Sequence, residues 1–111
     1  MAKILPYREL GVKTGSPIVF MSGFPDTEVS AWGPTIINHL TKKYRCIFMC
    51  LPGFGESDSN MLQKPWGYDQ EEILQMMHET IADVGLSQSP FYLIAHDWGA
   101  YFSLLYTTRY P

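Results

Sequence analysis

One aspartate stands where a fold can lift a side chain out to react. In Ala95-His96-Asp97-Trp98-Gly99 it follows the apolar run Phe91-Tyr92-Leu93-Ile94 and precedes a helical stretch from Ala100 to Arg109. The small residues Ala95 and Gly99 flank it at minus two and plus two. A strand running straight into a helix through such a turn has the layout of a nucleophile elbow, here with aspartate in the reactive place. The alternative is a helix N-cap, for which Asp is among the favoured residues. A cap makes no demand for small neighbours on both sides. A strained turn does, because close backbone approach excludes larger side chains. We therefore read Asp97 as the nucleophile.

A carboxylate in that place has a defined chemistry. Attack on a carboxylic ester would give an anhydride, a poor intermediate. Attack on a saturated carbon bearing a leaving group gives an ordinary ester between protein and substrate, which water can then cleave. The Trp98 amide at the helix start and the Phe24 amide, from the turn Ser22-Gly23-Phe24-Pro25-Asp26, are the expected oxyanion hole for that second step. Losing one such donor typically costs ~10²–10³ in rate. A helix N-terminus also suits the negative charge of the attacking group. Gly23, Pro25, Ala95 and Gly99 are expected to support the two turns.

Other reactive residue types fit bland roles. His96 adjoins Asp97 but points elsewhere by alternation, and reads as a satisfied structural histidine. His39 falls late in the first helix, at a solvated end, and His78 lies off the apolar stripe of the second helix, so exposed. Gly53-Phe54-Gly55 lacks the third glycine and helix opening of a dinucleotide loop. Cys46 and Cys50 share one predicted strand, which sets them roughly 13 Å apart, beyond the ~7 Å that a disulfide spans. No third Cys or nearby His completes a zinc site. No metal and no cofactor is expected.

The elements that must position Asp97 follow from periodicity. Lys3 to Leu10 reads as a first strand, closed by a turn-rich stretch from Gly11 to Pro17. Ile18-Val19-Phe20-Met21 and Cys46-Ile47-Phe48-Met49-Cys50-Leu51 are continuous apolar runs, as suits strands covered on both faces. Between them Trp32, Ile36, Ile37 and Leu40 share one helical face, with Ser30 or Gly33 near the start and Pro34 tolerable in the first turn. A second helix opens on the capping-box pair Asp69 and Glu72, carries the stripe Ile73, Met76, Met77, Ile81 and Val84, and ends at Gly85. Phe91 to Ala95 is the fourth strand. The last helix, apolar almost all round, is expected to be buried. This order predicts an α/β fold with a parallel sheet, in which sites gather in the turns after the strands.

Composition narrows the partners. At 111 residues the chain is one domain or part of one, and 46% hydrophobic content is ample for a core. A net charge of −3 gives no basic footprint for nucleic acid. No run approaches the ~18 apolar residues of a membrane span. Met1 to Pro6 lacks the apolar core of a signal peptide, so the expected setting is cytoplasmic and the expected partner a small-molecule substrate.

Three segments together resemble the N-terminal half of α/β-hydrolase-fold proteins, most closely epoxide hydrolases and haloalkane dehalogenases. Ser22-Gly23-Phe24-Pro25 stands where that family has His-Gly-X-Pro. Leu51-Pro52-Gly53-Phe54-Gly55-Glu56-Ser57-Asp58 is similar to its Asp-X-X-Gly-X-Gly-X-Ser-Asp segment, and Ala95 to Gly99 is similar to its elbow. The resemblance implies an incomplete α/β-hydrolase domain over residues 1–111, ending just after the elbow helix, with the acid, the histidine and the cap beyond Pro111. It implies a cis Phe24–Pro25 bond. Ser22 departs from the family's His, which braces the oxyanion turn, and Cys50 stands where the third-strand segment often begins with Asp. Phe24 offers no side-chain donor to a halide, so the resemblance leans to epoxide chemistry, with haloalkane dehalogenase as the alternative enzyme. A non-catalytic half-domain, binding a partner through its open sheet edge, is the alternative outside enzymes. With Phe91 to Ala95 as an exposed apolar edge, the isolated 111-residue polypeptide is expected to be insoluble or molten.

Overall fold

The computed structural model describes residues 4–24, 26–54 and 69–111. Its elements run β1 (Tyr7–Gly11), β2 (Pro17–Met21), α1 (Gly33–Thr41), β3 (Arg45–Met49), α2 (Gln70–Asp83), β4 (Tyr92–Ala95) and α3 (Trp98–Arg109). They build one sheet in the order β1-β3-β2-β4. β2 is parallel to both β3 and β4, while β1 lies antiparallel along β3. The expected α/β architecture is present, with one antiparallel strand at the edge of a parallel sheet.

The continuous apolar runs of β2 and β3 are buried on both faces, as the sequence predicts, and their alternation sorts two cores. Val19, Met21, Ile47 and Met49 pack towards Leu74, Met77 and Ile81 of α2 and Tyr106 of α3. Ile18, Phe20, Cys46 and Phe48 pack on the other face with Trp32, Ile37 and Leu40. There Phe20 stacks on Phe48 at 4.4 Å between ring centroids and meets Trp32 edge-on at 5.2 Å. Cys46 and Cys50 are buried and form no disulfide, and burial pushes the Cys46 thiol up.

α2 forms where its signals place it. The Asp69 side chain accepts from the Glu72 amide at 2.8 Å, and the Asp69 amide donates to Glu72 Oε1 at 3.2 Å, completing the capping box. Gly85 follows at φ +82°, a left-handed conformation that suits glycine. The N-terminal segment is pinned to this helix: Leu5 is buried and its amide donates to Thr80 Oγ1 at 2.8 Å. β1 therefore starts at Tyr7 rather than near Lys3, since Pro6 has no N–H to offer a ladder.

Four expectations are corrected. α3 is not buried all round: Gly99, Ser103 and Tyr106 form its one buried stripe, while Leu104 is 71% exposed. At about 100° per residue only one side of a helix can face the sheet. Ile36 is likewise exposed, because the nine-residue α1 meets β1 and β3 along a narrow stripe. His78 is half-buried with its ring stacked on Tyr110 at 4.1 Å, since α3 ends beside it. His96 is exposed, edge-on to Trp32, and its ring nitrogens bond to no described residue, so it is not a satisfied core histidine. His39 is exposed in the last turn of α1, as expected.

β4 is at one edge of the described sheet. In register Tyr92 and Ile94 pair with Ile18 and Phe20 and so share the α1 face, but α1 does not reach them. They are 66% and 38% exposed.

Candidate functional site

The parallel register brings two turns side by side. Met21, the last residue of β2, pairs with Ala95, the last of β4. The ladder continues one step further, with the His96 amide donating to the Met21 carbonyl at 3.1 Å. The chain then turns sharply at Asp97, with φ 59° and ψ −133°. Among the described residues Asp97 is the one non-glycine at positive φ. Such a backbone costs on the order of 1–3 kcal/mol and persists only where its surroundings impose it.

Those surroundings are two glycines. A Cβ on Gly99 would sit 2.3 Å from the Met21 carbonyl oxygen and 2.7 Å from that of Ser22, so the helix start lies directly on the end of β2. A Cβ on Gly23 would sit 2.6 Å from the Trp98 amide nitrogen and 2.8 Å from Asp97 Oδ2. Residues distant in sequence thus meet with room for hydrogen alone. Gly99 is pressed on the end of β2, and Gly23 supplies a second constraint from across the sheet.

The first turn of α3 is closed by backbone alone. Gly99 donates to the His96 carbonyl at 3.0 Å and Ala100 to the Asp97 carbonyl at 2.9 Å. The Asp97 side chain makes no capping bond and is exposed. Its carboxylate and the Trp98 and Phe24 amides carry no hydrogen bond to any described residue. The Asp97 side chain therefore does not cap α3.

Aromatic rings flank this site. Phe24, 59% exposed, meets Phe54 edge-on at 5.5 Å. Trp98, 53% exposed, meets Tyr101 edge-on at 5.4 Å. The sequence places Phe54 in a turn after β3 without giving it a role at the site; Gly53 before it turns at φ +88°. Pro25, and with it the Phe24–Pro25 bond, lies outside the described residues, as does the Gly55-Glu56-Ser57-Asp58 part of the third segment.

Beneath Phe24 the second turn is held by polar bonds. Ser22 is fully buried; its hydroxyl lies 2.9 Å from the Thr27 carbonyl and 3.2 Å from that of Met49, and its amide donates to Met49 at 3.1 Å. The Asp26 amide donates to the Gly23 carbonyl at 2.8 Å. Thr27 donates through its amide to Ser30 Oγ at 2.9 Å, and that hydroxyl donates to Asp26 Oδ1 at 2.9 Å. Among the described residues no cluster of three His, Cys, Asp or Glu could hold a metal ion, and no helix is long and apolar enough to cross a membrane.

With this geometry in view, the comparisons with known proteins agree on the architecture. The family model described as alpha/beta hydrolase fold matches residues 16–111. A solved structure of an ancestral haloalkane dehalogenase superposes with a TM-score of 0.76 at 26% sequence identity. The match covers 95% of this chain and 34% of that one, so the chain spans about a third of the length of that structure.

Proposed function

The chain belongs to the alpha/beta hydrolase fold family, and we propose that the protein is a hydrolase of the epoxide-hydrolase type in which Asp97 is the nucleophile. The observation that carries this reading is the strained Asp97 itself, at φ 59°, with a carboxylate bonded to no described residue beside the Trp98 amide. A capping role would leave φ ordinary and the carboxylate occupied.

In the first step an Asp97 carboxylate oxygen attacks a saturated ring carbon of the epoxide. The carbon–oxygen bond of the strained ring breaks, and the freed oxygen takes a proton from an acid of the whole protein. In the second step water adds to the carbonyl carbon of the Asp97 ester, and the charge that develops on the carbonyl oxygen falls to the Trp98 and Phe24 amides. A base of the whole protein takes one proton of the water and gives it to the departing alkoxide, and the diol leaves. The other proton returns from the Asp97 carboxyl to the acid of the first step, restoring the carboxylate.

A second reading within the same chemistry is haloalkane dehalogenation, favoured by the likeness to the ancestral haloalkane dehalogenase. The exposed Phe24 at the site's mouth argues for epoxides, since a departing halide would gain no side-chain donor there. A single turnover of the full-length protein with styrene oxide in ¹⁸O water tests the proposal. Label should enter the Asp97 carboxylate and leave the first diol unlabelled. Label in that first diol would mean direct water attack and overturn the nucleophile. Turnover of 1-chlorohexane with none of the epoxide would decide for dehalogenation, and turnover of neither would favour a non-catalytic role.

A further inference from the structure

We propose that Ser22 is a positioning residue that sets the Phe24 amide for the hydrolytic half of the reaction, an inference that rests on Asp97 forming an ester. Ser22 is fully buried at the end of β2, and its hydroxyl has one proton to give. The Thr27 carbonyl at 2.9 Å is the nearer acceptor, with the Met49 carbonyl of β3 at 3.2 Å. The hydroxyl thus ties the end of β2 to the far side of the turn carrying Phe24, while the Ser22 amide ties it to the neighbouring strand. Other bonds between described residues of that turn are local: Asp26 to Gly23, Thr27 with Ser30, and Ser30 to Asp26. Of these side-chain bonds, that of the Ser22 hydroxyl is the one that reaches from the sheet to the far side of this turn.

The position of the Phe24 amide matters in one half-reaction. Asp97 attack on a saturated carbon develops no charge on the carboxylate's second oxygen. Water addition to the ester carbonyl does: its π pair moves to oxygen, and one proton of the water goes to a general base of the whole protein. Collapse breaks the acyl–oxygen bond, and the departing alkoxide takes that proton from the base. An oxyanion donor removed outright costs ~10²–10³ in rate. A donor displaced by a loosened turn costs less, on the order of tenfold. Ser22→Ala should therefore leave ester formation alone and slow ester hydrolysis.

The test uses the full-length protein and styrene oxide in rapid-quench experiments, with intact mass reading the fraction of protein carrying the ester. Ser22→Ala should form the ester within twofold of the wild-type rate and hydrolyse it about tenfold more slowly, so that the ester accumulates. Ser22→Thr, which keeps the hydroxyl, should restore hydrolysis. Ser103→Ala, which removes a buried hydroxyl that has no described partner, should change neither step. Unchanged hydrolysis in Ser22→Ala, or an equal loss in both steps, would overturn the proposal. Amide hydrogen exchange of the peptide spanning Phe24 to Thr27 supplies a readout independent of turnover. It should quicken about tenfold in Ser22→Ala, and unchanged protection would also refute the role. Should wild type form no ester, the Asp97 reading falls, while the exchange result still decides whether Ser22 holds the turn.

Discussion

Two aspartates begin two helices in this protein, and they do opposite things. Asp69 sits before α2 in extended backbone, at φ −78° and ψ 169°, and its carboxylate accepts the Glu72 amide. Asp97 sits before α3 at φ 59°, and its carboxylate accepts nothing from the helix. One residue type at one kind of position is a cap in the first case and an open carboxylate in the second. The difference lies outside both helices. Asp97 follows β4 with no spacer but His96 and lies against Gly23, with the first turn of α3 seated on the end of β2. Capping is what an aspartate does when nothing else constrains the backbone. Exposure of its charge at a positive φ has to be imposed by packing.

The largest effects should come from attacking the constrained aspartate. Asp97→Asn in the full-length protein should lower turnover by ~10⁴-fold or more, since the amide is no nucleophile; retained turnover would erase the functional half of the contrast. Stability should move the other way. Asp97→Gly relieves the left-handed backbone and should unfold at higher denaturant than Asp97→Ala, by about 1–3 kcal/mol.

Next in size is the contact that imposes the strain. Gly99→Ala places a methyl against the Met21 and Ser22 carbonyls, neither of which can swing aside like a flexible side chain. A loss of at least about 2 kcal/mol in chemical denaturation is expected, with the turn displaced. A neutral Gly99→Ala would show that β2 does not press on the elbow.

A control far from the elbow sharpens the contrast with an ordinary structural contact. Arg45 at the start of β3 holds Glu9 of β1 in a fork, at 2.9 and 3.1 Å, and donates to the Val84 carbonyl at the end of α2 at 2.8 Å. Both side chains are largely shielded. The hydrogen bond from Arg45 holds the Glu9 carboxyl below its ordinary range. A depressed carboxylate contributes stability that is fully present above its unfolded value and lost as the pH falls through the folded one. Arg45→Met should therefore cost about 1–2 kcal/mol at neutral pH and flatten the acid limb of the stability curve in urea titrations. Turnover per folded molecule should hold.

The smallest effect belongs to the relaxed aspartate. Asp69→Ala removes the cap of α2 and should cost ~1 kcal/mol with turnover unchanged. Loss of turnover there comparable to Asp97→Asn would break the comparison outright.

How much was legible depended on the range of the forces involved. The α2 boundaries follow from Asp69, Glu72 and Gly85, whose effects are spent within one helical turn. The apolar runs of β2 and β3 declare two covered faces by composition alone. Exposure failed where helix composition stood in for contact: Leu104 and Ile36 are apolar, yet each sits off the stripe that meets the sheet. His78 was misread for the converse reason, its cover arriving from Tyr110 of another helix.

The sequence by itself determined the order of the elements, the turn chemistry at Gly23, Gly53 and Gly99, and the presence of an aspartate between strand and helix. These are local matters, decided by side-chain shape, backbone freedom and hydrophobic period. Tertiary structure alone decided the strand order β1-β3-β2-β4, which sets the ends of β2 and β4 together. That adjacency brings Gly23 against Asp97, drives Asp97 to positive φ and leaves its carboxylate open. It also buries Ser22 where one hydroxyl reaches two carbonyls. No local propensity favours a left-handed aspartate. The packing of distant backbone segments supplies the free energy that holds it there.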